Sequence, residues 1–132
     1  MRLVISGDPH LRVSSIETAR RFLAFLDQTV QEQRPDGVVI LGDLFDSHAV
    51  LRVEILNLWA KYLASERVPH VLMVGNHDKA GPRAQDHALV GLDRFEGVTI
   101  VDKPTREFGM SFLPYYHTAE EFSFNVKQLP NF

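Results

Sequence analysis

The 132-residue chain contains no cysteine. Disulfides and thiolate metal sites are therefore excluded, zinc-finger-type chemistry among them. A cysteine-free chain is compatible with a reducing cytoplasm, which is the expected location. No stretch approaches the roughly 18 consecutive apolar residues of a membrane span, and the opening MRLVISGDPH lacks a signal-peptide pattern. Charge of one sign is also scarce: 14 Lys and Arg against 17 Asp and Glu leave a formal charge of −3. Both signs are spread over both halves, so there is no global attraction to nucleic acid. Any contact with phosphate must be local or metal-mediated. Repeats, low-complexity tracts and linkers are missing too, and the chain reads as one domain or part of one.

What is present is an ordinary globular composition, 45% hydrophobic and 23% charged, sufficient for a sizeable core. Three short apolar runs stand out: Leu3 to Ser6, Val38 to Leu41 and Val71 to Val74. They are continuous rather than alternating, and helical stretches separate them. One helix is expected from Ser14 to Gln33, where Ser14 and Glu17 have capping-box spacing and Ile16, Ala19, Leu23, Leu26 and Val30 recur at helical intervals. A second is expected from Ala49 to Glu66. The pattern predicts an α/β fold with parallel strands covered on both faces and joined by right-handed crossovers.

Further on, the sequence predicts a short helix from Ala84 to Phe95 and a strand from Val98 to Val101. A strand or hairpin arm is expected over roughly 106 to 115. The tail EEFSFNVKQLPNF shows no clear period and receives no assignment. The segment from 49 to 66 is apolar nearly all round, which predicts burial on two sides. Its second side either packs within the subunit or forms a homodimer contact.

Each of the first three strands ends in groups that bind metal or move protons. Strand one leads to Asp8-Pro9-His10, strand two to Gly42-Asp43-Leu44-Phe45-Asp46, and strand three to Gly75-Asn76-His77-Asp78. Any one of these alone is equally a polar turn or a helix cap. Together they occur in order, one crossover apart, and parallel strands place all three at the carboxyl edge where α/β sheets bind ligands. Asp, His and Asn offer oxygen and nitrogen donors suited to Mn²⁺, Fe or Zn²⁺. Asp43 in the middle loop is placed to bridge two ions roughly 3.5–4 Å apart, the spacing that clamps a phosphoryl transfer. Asn76 offers a neutral oxygen, and the adjacent His77 is free to face substrate as a proton donor.

SGDPH, LGDLFD and VGNHD resemble the first three signature blocks of the calcineurin-like metallophosphoesterases. GDLFD before a helix, GNHD and a later FLPYY most resemble the SbcD-type DNA repair exonucleases and their phage-encoded relatives. The resemblance covers most of residues 1 to 118 and implies a layered metallophosphoesterase fold with two divalent metal ions, typically Mn²⁺. Carried over, Asp8 and His10 bind the first ion, Asp43 bridges, and Asn76 binds the second. His77 is the catalytic histidine, and Asp46 and Asp78 orient the histidines. His48, at the start of the second helix, is a candidate substrate contact.

The implied activity is phosphodiester hydrolysis on DNA, in complex with an SbcC-type ATPase. The family pattern continues with another metal-binding histidine and a Gly-His-x-His block, which these 132 residues do not contain. The remaining histidines do not substitute: His70 falls at the wrong edge of the sheet, His87 on an expected surface helix, and His117 after LPYY. The chain is thus expected to be the amino-terminal portion of one domain, to hold one ion tightly and to be weakly active. Two alternatives stay open. One is a protein phosphatase or small-molecule phosphodiesterase of the same superfamily; the other is a non-catalytic scaffold or DNA-binding subunit.

Overall fold

The computed structural model describes residues 1–81 and 86–129. Four strands, β1 (Leu3–Ser6), β2 (Gly37–Ile40), β3 (His70–Met73) and β4 (Val98–Val101), form one sheet in the order β1-β2-β3-β4. Every pairing is parallel, with Val4 opposite Val38 and Val39 opposite Val71. Helix α1 (Ile16–Gln33) carries the chain from β1 to β2, and α2 (Val53–Ser65) from β2 to β3. Sequence order and sheet order coincide, so the loops after β1, β2 and β3 lie side by side along one edge. This adjacency gathers the site.

The sheet has two cores. On one side Val38, Ile40 and Leu72 meet Leu23 and Leu26 of α1 and Ile55, Trp59 and Leu63 of α2. On the other, Val39, Val71 and Val101 meet Phe112, Phe108 and Met110. This second cover is an antiparallel hairpin, β5 (Thr105–Glu107) with β6 (Met110–Phe112), rather than further helices. Its two-residue turn, Phe108-Gly109, holds both residues at positive φ (51° and 73°), the mirror-image geometry that hairpins favour. Phenylalanine accepts that strain because its ring packs directly on Gly37, where a β-carbon would collide with it.

The structure shifts several boundaries. The Ser14–Glu17 capping box does not form; Val13–Ser15 is a 3₁₀ turn, and Ser15 precedes α1 without a side-chain cap. The second helix begins at Val53, and residues 49–52 lie outside it. Of the short helix expected from Ala84, residues 84 and 85 lie outside the described residues. From 86 onward the chain makes turns and one 3₁₀ turn, Val90–Leu92. His87 consequently sits on no surface helix: its side chain is 2% exposed, with Nε2 3.5 Å from Asp102 Oδ2. The unassigned tail contains a third helix, α3 (Ala119–Val126), started by a capping box between Thr118 and Glu121. Helix α2 uses much of its second apolar side within the subunit, where Leu56 and Leu58 pack against the core. Among the described residues no helix is long and apolar enough to cross a membrane.

His70 opens β3 at the edge remote from the three loops, and its chemistry is structural. Its Nδ1 lies 2.8 Å from the Val68 carbonyl, which can only accept, so Nδ1 carries the proton. Nε2 then accepts from the Tyr62 hydroxyl at 2.9 Å. Burial pushes the ring's pKa down and keeps it neutral.

Close by, burial and the hydrogen-bonded Asp27 carboxylate push Glu66 up to about 7. Folded Glu66 therefore retains a proton that the unfolded chain releases near 4.5. Its contribution is fully present below pH 4.5 and is lost as pH rises toward 7. Glu66→Gln is expected to match wild type in thermal melting near pH 4.5 and to exceed it above pH 7. Discounted for solvent exposure, the gain is on the order of 1 kcal/mol, or about 3–5 °C. Melting curves at the two pH values check this; equal Tm at pH 8 would refute it.

Candidate metal centre

The three loops are bound to one another through their backbones before any side chain acts. His10 N–H donates to the Asp43 carbonyl (2.8 Å) and Leu11 N–H to that of Leu44 (3.1 Å), which fastens the first loop to the second. Asp78, fully buried, fastens the third to the second. Its Oδ2 accepts from Gly75 N–H (2.9 Å) and its Oδ1 from Phe45 N–H (3.2 Å). Burial pushes the Asp78 carboxyl up, and these two amides pull it back. Asp43 completes the fastening, its Oδ1 accepting from His77 N–H at 2.8 Å.

The loops approach so closely that side chains are excluded. A β-carbon on Gly75 would fall on the Asp43 carboxylate and backbone nitrogen. One on Gly42, at φ 99°, would lie 2.9 Å from the Gly75 Cα. The packing also strains the backbone. Five non-glycine residues among those described have positive φ, and three of them are Asp8 (41°), His10 (44°) and Asp43 (51°). Strain of this kind persists where surrounding structure over-determines a functional position.

Within this frame the donor atoms of His10, Asp43 and His77 lie within 4.8 Å of one another. His10 Nε2 stands 3.4 Å from Asp43 Oδ2. Two donors each about 2.1 Å from one ion stand roughly 3.0–3.4 Å apart, so this pair fits a shared divalent cation. The His10 and His77 rings meet edge-on at 4.7 Å. His77 Nδ1 donates to the Asp46 carbonyl (3.1 Å), which leaves Nε2 as the bare nitrogen of the neutral ring. Asp8 and Asn76 line, together with Asp43, one cavity of about 320 Å³.

The five residues expected to bind metal or react are therefore gathered at the three loop ends. Asp46 contributes twice: its carbonyl receives His77, and its carboxylate lies 3.8 Å from His10 Nδ1. Asp78 contacts backbone amides and holds loops rather than rings. His48 stays exposed on the segment leading to α2, outside the cluster.

Two further features are illegible in the sequence. Lys79 is buried, 3% exposed, and its Nζ donates to the Tyr115 carbonyl at 2.9 Å. Arg12 and Arg52 flank a groove of about 270 Å³ that includes Asp46, beside the cluster. A lysine following Asp78 and two dispersed arginines carry no local signal of either arrangement.

A parallel α/β sheet with helices on one face, a hairpin on the other and a strained carboxylate–imidazole cluster at its carboxyl edge defines an α/β protein with a candidate metal centre where such sheets bind ligands. The sequence matches the calcineurin-like phosphoesterase family over residues 1–128, and the chain belongs to that family. It is 33% identical over 102 residues to the viral protein 078R of Invertebrate iridescent virus 3, named as a phosphoesterase, covering 74% of this chain and 29% of the relative. With 244L of Invertebrate iridescent virus 6, also named as a phosphoesterase, it shares 27% over 124 residues, 86% of this chain and 43% of the relative. The crystal structure of the Pseudomonas putida nuclease MPE superposes with a TM-score of 0.59 at 25% identity, over 81% of this chain and half of that one. The chain thus spans half or less of each of these proteins.

Proposed function

We propose that the protein hydrolyses phosphodiesters with divalent metal, as a nuclease of the SbcD type acting on DNA. The observation that carries this reading is the convergence of His10, Asp43 and His77 beside a cavity lined by Asp8 and Asn76. Asp8 and His10 would hold one ion, Asp43 would be shared, and Asn76 would serve a second. Oxygen and imidazole donors of this kind suit Mn²⁺. The bound metal supplies a Lewis acid and a water acidic enough to ionise near neutral pH.

The chain's own residues do the rest. Asp43 orders the third loop through His77 N–H, and Asp46 holds the His77 ring through Nδ1. His77 is exposed and its Nδ1–H is held by the Asp46 carbonyl, so Nε2 faces the substrate, and the ring would protonate the leaving oxygen from its doubly protonated form. Arg12, 3.9 Å from Asp46, and Arg52, bound to Glu54 at 2.9 Å, line the groove beside the cluster, where the phosphates of a bound strand would compete with those carboxylates for them. The solved relative named as a nuclease favours a nucleic-acid diester over a phosphoprotein. We assign an SbcC-type ATPase as partner on the resemblance of GDLFD, GNHD and FLPYY. A second copy is a further candidate partner, through the exposed Val50, Leu51 and Val53 at the head of α2.

The test is calorimetric titration with Mn²⁺ together with hydrolysis of bis(p-nitrophenyl) phosphate and of duplex DNA ends. One tightly bound ion per chain is expected, with slow, Mn²⁺-dependent cleavage of the diesters and none of phosphopeptides. Absence of Mn²⁺ binding would remove the reading, and faster turnover of phosphopeptides would redirect it to a phosphatase.

A further inference from the structure

We infer that Tyr115 is a stacking platform for the nucleobase next to the reacting phosphate, a platform set in place by Lys79. The inference rests on the phosphodiesterase reading and names what lies beside the phosphate. Tyr115 lines the same cavity as Asp8, Asp43 and Asn76, and it remains 41% exposed. The cavity is chemically mixed. Its lining combines the carboxylates of Asp8 and Asp43 and the amide of Asn76 with the apolar and aromatic side chains of Met73, Leu113, Pro114 and Tyr115. A phosphate group alone has no use for an apolar lining. A ligand with an anionic ester and a flat aromatic ring joined to it matches both, and a nucleotide is such a ligand. At about 320 Å³ the cavity stands near the small end of ligand sites, roughly 300–1,000 Å³, suited to one nucleotide rather than a folded peptide surface.

The platform is anchored. Tyr115 N–H donates to the Val74 carbonyl at 2.9 Å, one residue before the Gly75 that abuts Asp43. On the other side, the Tyr115 carbonyl accepts from Lys79 Nζ, one residue after Asp78. Both backbone polar groups of Tyr115 are thus tied to the segment that carries Asn76 and His77. Lys79 Nζ also lies 5.9 Å from the Tyr115 ring and 5.7 Å from that of Tyr116, within cation–π range of each. The His117 ring meets Tyr115 in a T-shaped contact at 5.2 Å, and the part of the tyrosine that stays exposed is the surface open to a base. A buried lysine bound to a carbonyl is a costly strut, and here it sets the distance between aromatic wall and donor cluster. Lys79 touches no reacting atom and is a positioning residue.

The experiment compares binding of a short single-stranded oligothymidylate with that of an abasic deoxyribose-phosphate oligomer of equal length and charge. Fluorescence anisotropy reads affinity, with Ca²⁺ in place of Mn²⁺ to hold cleavage back. Wild type is expected to prefer the base-bearing strand by roughly tenfold, in line with one stacked base. Tyr115→Ala should bring the preference within about twofold, while Tyr115→Phe, which keeps the ring, should preserve it. Lys79→Met should reduce the preference while the abasic oligomer still binds. No preference in wild type, an unchanged preference in Tyr115→Ala, or tighter binding of a phosphotyrosyl peptide would each overturn the inference. A Tyr115-dependent preference without any Mn²⁺-dependent diester hydrolysis would uphold the platform and reject the phosphodiesterase reading. Hydrolysis without the preference would do the reverse.

Discussion

Asp43→Asn is expected to remove tight Mn²⁺ binding and to lower kcat/KM for diester hydrolysis by roughly 10³-fold or more while leaving the fold intact. Asp43 has two separable duties. Its Oδ1 receives His77 N–H, and its Oδ2 stands 3.4 Å from His10 Nε2, at the spacing of two ligands on one ion. Asparagine keeps an oxygen for the amide of His77 and tolerates the φ of 51° that the loop imposes. It removes the negative charge that a divalent ion requires. Thermal unfolding in EDTA should therefore shift by no more than a few degrees, whereas calorimetry should show Mn²⁺ binding gone. Wild-type affinity for Mn²⁺ in this variant would place the ion elsewhere and sink the assignment. A non-catalytic scaffold would lose neither metal nor partner binding on the same change.

Gly75→Ala is expected to be the most destabilising conservative substitution at the site, by about 3 kcal/mol, or about 10 °C in Tm. The added methyl would meet the carboxylate and the backbone nitrogen of Asp43, and backbone cannot swing aside as a flexible side chain can. Separation of the two loops would also stretch the bond from Phe45 N–H to Asp78 and that from His77 N–H to Asp43. Stability and Mn²⁺ affinity should consequently fall together. Melting in EDTA isolates the packing effect from loss of metal. Gly7→Ala is the control, since nothing lies within 4 Å of a β-carbon built there, and its Tm should stay at the wild-type value. A Gly75→Ala protein that melts like wild type would show that the loops are not in contact.

The two substitutions differ in how far sequence alone foresees them. Asp43 is legible because GDLFD recurs in phase with SGDPH and VGNHD, each after a buried apolar run and one crossover apart. Gly75 reads at first as an ordinary turn glycine. Its role depends on the neighbouring loop, and contact between residues 32 apart in the chain leaves no local trace.

Among the helices the same boundary holds. The 3.6-residue period of Ala19, Leu23, Leu26 and Val30 marks α1, because one face of it must meet the sheet. The apolar residues near His87 suggest a helix as well, yet residues 86–95 make turns. His87 and Leu92 are drawn into the core there without a continuous helical face. In α3 the capping box of Thr118 and Glu121 was the available signal, and the exposed Phe122 and Phe124 blurred its period.

The amino-acid sequence by itself determined the alternation of strands and helices, the parallel pairing and the set of residues at the strand ends. Those follow from local patterns: apolar runs that must be buried, helical periods that force crossovers, and turn residues at fixed offsets. Tertiary structure alone decided how the groups divide their work. It set Asp78 to bind the loops together rather than orient a histidine ring, and gave the backbone carbonyl of Asp46 to His77. It also buried Lys79 beneath Tyr115 and brought Gly75 against Asp43. Each of these depends on distances between segments far apart in the chain, and such distances are set by packing, which no single segment encodes.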